Sequence, residues 1–179
     1  MDARRVVTGH DANGKAVFAS DERVAPFVPT FSPLSSFHLL WNGDQPPQFP
    51  DDGSRPAPTT YFPEVGGFRF GFFTLPPDGT PMPEGVDVMA GLEEMRAALP
   101  GMLDHMEAEP GMHTTATIDF EVVLSGTVTL ELDDGAMVTL QPGDTVVQNG
   151  TRHRWGNPGS EPATLAVFLI GAHHEKVGT

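Results

Sequence analysis

The sequence predicts an all-β fold, a single closed antiparallel barrel, and three observations predict it. From Gly111 onward, short runs rich in β-branched and aromatic residues recur at intervals of about eight to twelve residues. Ser125-Gly126, Asp133-Asp134-Gly135 and Gln141-Pro142-Gly143-Asp144 separate them as turns. The chain spends 18 Pro and 20 Gly of its 179 residues on punctuation, which favours many short elements over a helical bundle. Its length suits one domain with one core.

Taken in order, residues 4–8 and 15–19 are strands flanking His10-Asp-Ala-Asn13-Gly14, where Asn-Gly provides the positive φ angles of a tight hairpin. Residues 25–63 are Pro-rich and irregular, an arm around the barrel with a short strand at the apolar island 37–41. The aromatic run 68–74 is a strand stopped by Pro76-Pro77. A helix begins near residues 85–87 and ends before Pro100-Gly101, with Met89, Leu92, Met95 and Leu99 as its apolar stripe. After a short turn at 102–106, strands are expected at 114–124, 128–132, 137–140, 145–147, 153–157 and 164–170. The organisation is therefore hairpin, arm and first strands over 1–80, a helical insertion over 81–110 and the barrel core over 111–172, all one structural domain.

Composition narrows the partners. Lys and Arg total 10 against 24 Asp and Glu, a formal charge of -14, so nucleic-acid backbones and anionic membranes are repelled. Absence of Cys removes disulfides, thiolate metal sites and Cys nucleophiles. No secretory leader pattern and no membrane-spanning apolar run is present, and a soluble cytoplasmic protein is expected.

Chemistry concentrates in two segments. The first is Gly111-Met-His113-Thr-Thr115-Ala-Thr117-Ile-Asp119-Phe-Glu121 through Gly126, and the second is Gly143 through Gln148-Asn-Gly150-Thr-Arg-His153-Arg-Trp155-Gly-Asn157. On a regular strand His113, Thr115, Thr117, Asp119 and Glu121 share one face, and the turn at 148–150 brings His153 in from a neighbouring strand. Two imidazoles and a carboxylate converging in a cavity make a site for a divalent transition metal, or a pair of hydrogen-bonded cavity histidines without metal. Asp119 is the expected catalytic group, as ligand, general base or orienter of an imidazole. Glu121 is read as a rim carboxylate, since a bulge would turn it outward. Thr115 and Thr117 offer hydroxyls to a ligand, Trp155 an aromatic wall, and His105 can swing over the mouth from a helix end. Asn157 is expected to tie a turn, and His173 and His174 to be solvated.

These two segments resemble the paired motifs of the cupin superfamily, small jelly-roll β-barrels that hold a metal or ligand inside. Gly143, Gly150, His153 and Asn157 fall on the second motif, and His113, Asp119 and Gly126 on the first. Thr115 stands where the family carries its second His, Asp119 where it carries Glu, and Gln148 where it carries Pro. A narrower likeness, strongest over 102–172, is to small cupins with His-x-Thr-Asp-Thr-x-Asp-Tyr/Phe and Val-Gln-x-Gly-Thr-x-His-x-Trp-x-Asn; Ala116 replaces their Asp. Some fungal relatives in that group belong to polyketide pathways and are described as oxidoreductases.

The resemblance implies a cupin enzyme with a divalent metal (Fe, Zn, Ni or Mn) on His113, His153 and Asp119. Its substrate would be a small organic acid or a polyketide-like aromatic compound, undergoing decarboxylation, dehydration, isomerisation or oxidation. The alternative is a metal-free ligand-binding or sensing cupin. A homodimer is expected from the Pro-rich arm and the apolar strands.

Overall fold

The computed structural model describes residues 3–176. Strands β1 (Ala3–His10) and β2 (Ala16–Val24) form the N-terminal hairpin, longer than the two expected runs. Asp11 closes its turn by accepting the backbone N–H groups of Asn13 at 2.8 Å and Lys15 at 2.9 Å. The arm that follows carries β3 (Ser36–Gly43), then an irregular stretch up to β4 (Phe68–Leu75). Helix α1 (Val88–Ala98) comes next, then β5 (Thr117–Ser125), β6 (Val128–Glu131), β7 (Met137–Leu140), β8 (Thr145–Asn149), β9 (Arg154–Gly156) and β10 (Ala163–Gly171).

Beside the hairpin, two antiparallel sheets make the barrel. One runs β3-β4-β10-β5-β8 and the other β7-β6-β9. Val123, Val128, Leu130, Leu140, Ala163 and Leu165 fill the space between them at one end. Gly126 joins β5 to β6 at φ +76°, and a Cβ there would fall 2.6 Å from that of Ala163, so the turn requires glycine on both counts.

Helix α1 is capped by Asp87, which accepts the N–H of Ala90 at 3.1 Å. Its packed stripe differs from the expected one. Met89 is 64 % exposed, while Gly91, Met95 and Leu99 are buried. A spacing of four keeps those three on one side, and Gly91 permits it: a Cβ there would come within 2.7 Å of the Phe31 ring. Met95 and Leu99 pack with Phe37 in a second cluster, which closes the other end of the barrel over residues of the arm. Among the described residues no helix is long and apolar enough to cross a membrane.

Candidate functional site

The strand expected from residue 114 begins only at Thr117, and the reason is the pairing of His113. His113 and His153 form an isolated antiparallel bridge, each donating its N–H to the other's carbonyl at 3.0 Å. Directly opposed residues put their side chains side by side. The two rings accordingly lie 4.2 Å apart between centroids, tilted by 51°. Gly150 makes the approach possible, since at φ +60° it packs where a Cβ would sit 3.2 Å from the Thr115 carbonyl.

Each imidazole is fixed by its own loop. Nδ1 of His113 lies 3.0 Å from the Gly111 carbonyl, and Nδ1 of His153 lies 2.9 Å from that of Thr151. A carbonyl oxygen only accepts, so both Nδ1 atoms carry the proton and both Nε2 atoms present a lone pair. Burial drives the pKa of His153 down to about 4, with His113 adding to the effect. Burial lowers His113 also. The pair is neutral at neutral pH.

The inward face of β5 supplies the acids. Asp119 and Glu121 both border a cavity of about 230 Å³ that His113 and His153 also line. Burial raises the Asp119 carboxyl to about 6, and the Thr117 hydroxyl opposes the rise. Glu121 is pushed up to about 8 by burial and then by the charge of Asp119. Both acids are thus shifted toward their protonated forms, Glu121 further than Asp119. Tyr61, another wall residue, is raised far above the ordinary phenol range by burial and by both carboxyls, so its hydroxyl stays protonated. Phe37, Phe62, Phe73 and Trp155 give the cavity its aromatic walls.

Several expectations need correction. Glu121 is no rim residue but buried and inward, because the β5–β10 register shift falls between Val123 and Ser125, past Glu121. Thr115 and Thr117 are buried with their hydroxyls bonded to each other at 2.8 Å, and neither is among the residues bordering the cavity. His105 stays at the end of a short 3-10 turn, edge-on to Phe62 with ring centroids 4.9 Å apart, so Phe62 and not His105 faces the cavity. His174 is half-buried and lies 3.0 Å from the Gly150 carbonyl, tethering the loop before His153. Asn157 does tie its turn, bonding the carbonyls of Leu75 at 3.2 Å and Glu161 at 2.9 Å and the N–H of Gly159 at 2.9 Å.

Sequence reasoning missed Phe37, Tyr61 and Phe62 as site residues. Phe37 sits on β3, whose short apolar island gives no clear alternation to pick a face, while Tyr61 and Phe62 lie in the irregular Pro-rich stretch after it.

The donor set bears on the metal. Among the described residues no group of three or more His, Cys, Asp or Glu side chains comes together that could hold a metal ion. His113 and His153 meet, while Asp119 borders the same cavity without joining them as a third donor. His113 and His153 are the two imidazoles that present Nε2 lone pairs to the cavity.

A family model described as a cupin domain matches residues 103–170. Phomopsin biosynthesis cluster protein C′ of Diaporthe leptostromiformis is 29% identical over 170 residues, covering 92% of this chain and 76% of that protein. A cupin-domain-containing oxidoreductase of Neurospora crassa is 26% identical over 170 residues, covering 94% of this chain and 74% of its own length. Among solved structures, the Schizosaccharomyces pombe Cnp3 cupin domain aligns at 10% identity and a TM-score of 0.49, over 96% of this chain and 89% of that one.

Proposed function

On the premise that this chain belongs to the cupin superfamily through its domain at residues 103–170, we propose an enzyme that moves a proton on a small, flat carbonyl compound bound in the barrel. The observation that carries the proposal is the pair of buried carboxyls, Asp119 and Glu121, each with an unpartnered oxygen, bordering one aromatic-walled cavity, where burial raises both. Asp119, ionised, takes the proton from the carbon beside the carbonyl. Tyr61 and Glu121, both protonated, are the groups that donate to the carbonyl oxygen as negative charge gathers there. The neutral imidazoles accept hydrogen bonds at Nε2 and orient a hydroxyl of the substrate. Aromatic walls suit a polyketide-like ring. Isomerisation and dehydration begin with such a proton step, and decarboxylation ends with its reverse, protonation of the enolate carbon.

The test uses 4-hydroxyacetophenone in D₂O, with its methyl protons followed by NMR. Saturable exchange above the buffer rate is expected, and its absence would overturn the proposal. Elemental analysis of tag-free protein accompanies it. Stoichiometric metal that disappears in a His113→Ala, His153→Ala double variant would assign the two Nε2 atoms to a divalent metal in place of a substrate hydroxyl.

The homodimer is proposed through the outward face of the five-stranded sheet. Phe70, Phe168, Phe120 and Val147 stand in register across four adjacent strands. On a chain of charge -14 that uncharged row lets two copies meet without bringing like charges together. Light scattering at micromolar protein is expected to give twice the chain mass, and a monomer would overturn this.

A further inference from the structure

The polar groups of the cavity are nearly all of one kind. Asp119 and Glu121 are 4% and 6% exposed, and Asp119 Oδ1 and Glu121 Oε2 have no hydrogen-bond partner. His113 and His153 commit their Nδ1 hydrogens to carbonyls, leaving two more acceptors at Nε2. Among the described residues no Lys or Arg borders the cavity.

Three arginines of the barrel and its loops are committed elsewhere. Arg69 is taken by Asp44 and by the carbonyls of Gly43, Phe68 and Thr60. Arg152 is held by Glu107, Glu109 and Asp133, and Arg154 by Glu131. The carboxyl pair thus receives neither a counter-ion nor a full set of donors from the protein, and buried acceptors left that way are costly. Around it stand Phe37, Tyr61, Phe62, Phe73 and Trp155, whose ring faces attract positive charge.

We propose that the substrate of this cavity is a small organic ammonium ion bearing N–H groups, seated between the carboxyl pair and the aromatic wall. This rests on the reading of the cavity as the substrate site. A quaternary ammonium would satisfy the rings but give no hydrogen to the two unpartnered oxygens, so a primary or secondary amine is the fitting class. A carboxylate would meet two acidic groups and four acceptors, and is rejected. The bound ammonium draws Glu121 into its ionised form as counter-ion, its proton passing to solvent, so Asp119 keeps its role as base and Tyr61 alone donates to the carbonyl oxygen. An ammonium beside a carbonyl also acidifies the C–H between them.

Three probes of one shape and different charge test this on the full chain by titration calorimetry at neutral pH: 2-phenylethylamine, 2-phenylethanol and phenylacetate. The amine is expected to bind at least about tenfold tighter than the alcohol, with the acid weakest. Glu121→Gln is expected to bring the amine down to the alcohol, while Leu124→Thr on the outward face keeps the amine's advantage. Equal affinity for alcohol and amine, or a preference for the acid, would overturn the cationic assignment and leave the cavity as a substrate site. Failure of all three to bind would overturn both.

Discussion

Along β5 the inward side chains Thr117, Asp119 and Glu121 are buried, while the alternating outward ones, Phe120, Val122 and Leu124, are 43%, 37% and 38% exposed. Burial alone would favour the opposite arrangement, with aromatics inside and carboxyls in water. Farther along the same strand Val123 turns inward to join the apolar cluster, so the inversion is confined to the stretch that borders the cavity. The contrast teaches that this part of the barrel interior is built around buried acids and a cavity and not as a stabilising core. Two acids kept there without full hydrogen bonding cost stability and must be accounted for by what they do.

Breaking the inward side should have the largest effect. Asp119→Asn is expected to lower catalysed exchange about a hundredfold or more, the range typical of removing a general base. Leu124→Thr, on the outward side of the same strand, serves as the matched control. NMR exchange rates for the two variants compare the faces directly.

Stability should respond in the opposite sense to activity. Replacing the buried, incompletely bonded acid in Glu121→Leu is expected to stabilise the fold by about 1–3 kcal/mol in urea unfolding at neutral pH. The same change should abolish exchange. Destabilisation by Glu121→Leu would mean that the carboxyl is structural.

Acidity gives a smaller, graded signal. The Asp119 and Glu121 pKa values, about 6 and about 8, lie above their ordinary 3.8 and 4.5, so the folded state holds protons that the unfolded chain releases. Their contribution to stability is full below the ordinary carboxyl range and is lost as pH rises through the folded values. His153, lowered from 6.5 to about 4, acts with the reverse sign, adding stability as pH rises across that interval. Above the ordinary imidazole range Glu121 alone of these three still titrates. The melting temperature should therefore fall between about pH 6.5 and 8.5, and Glu121→Gln should flatten that fall. Least affected of all should be the melting of Leu124→Thr, within about 0.5 kcal/mol of the parent.

The barrel was legible because its strands alternate and its turns carry Gly, Pro and Asp at defined places. Met137–Leu140 matches its expected bounds, and the other barrel strands differ by only a few residues at their ends. Asp119 was legible because period-two geometry put it inward on β5, and His113 and His153 because their motif spacing brings them together, here through an isolated bridge outside β5. Glu121 was not, since parity cannot say where a bulge falls, and here it falls beyond the residue. The helix stripe was misplaced because Met89 has the right spacing but lies on the wrong side of a buried Gly91. Tyr61 and Phe62 were invisible, because the irregular stretch that carries them reaches the cavity only through tertiary packing, and Phe37 was missed because the apolar island of β3 alternates too little to show a face.

The most direct measurement is an NMR titration of the side-chain carboxyl carbons of Asp119 and Glu121 in the free protein. Half-ionisation near pH 6 for Asp119 and near pH 8 for Glu121 is the predicted result. If both carbons titrate together in the ordinary carboxyl range, the chamber is wet, its two acids are alike, and the acid–base division of labour proposed for β5 is contradicted.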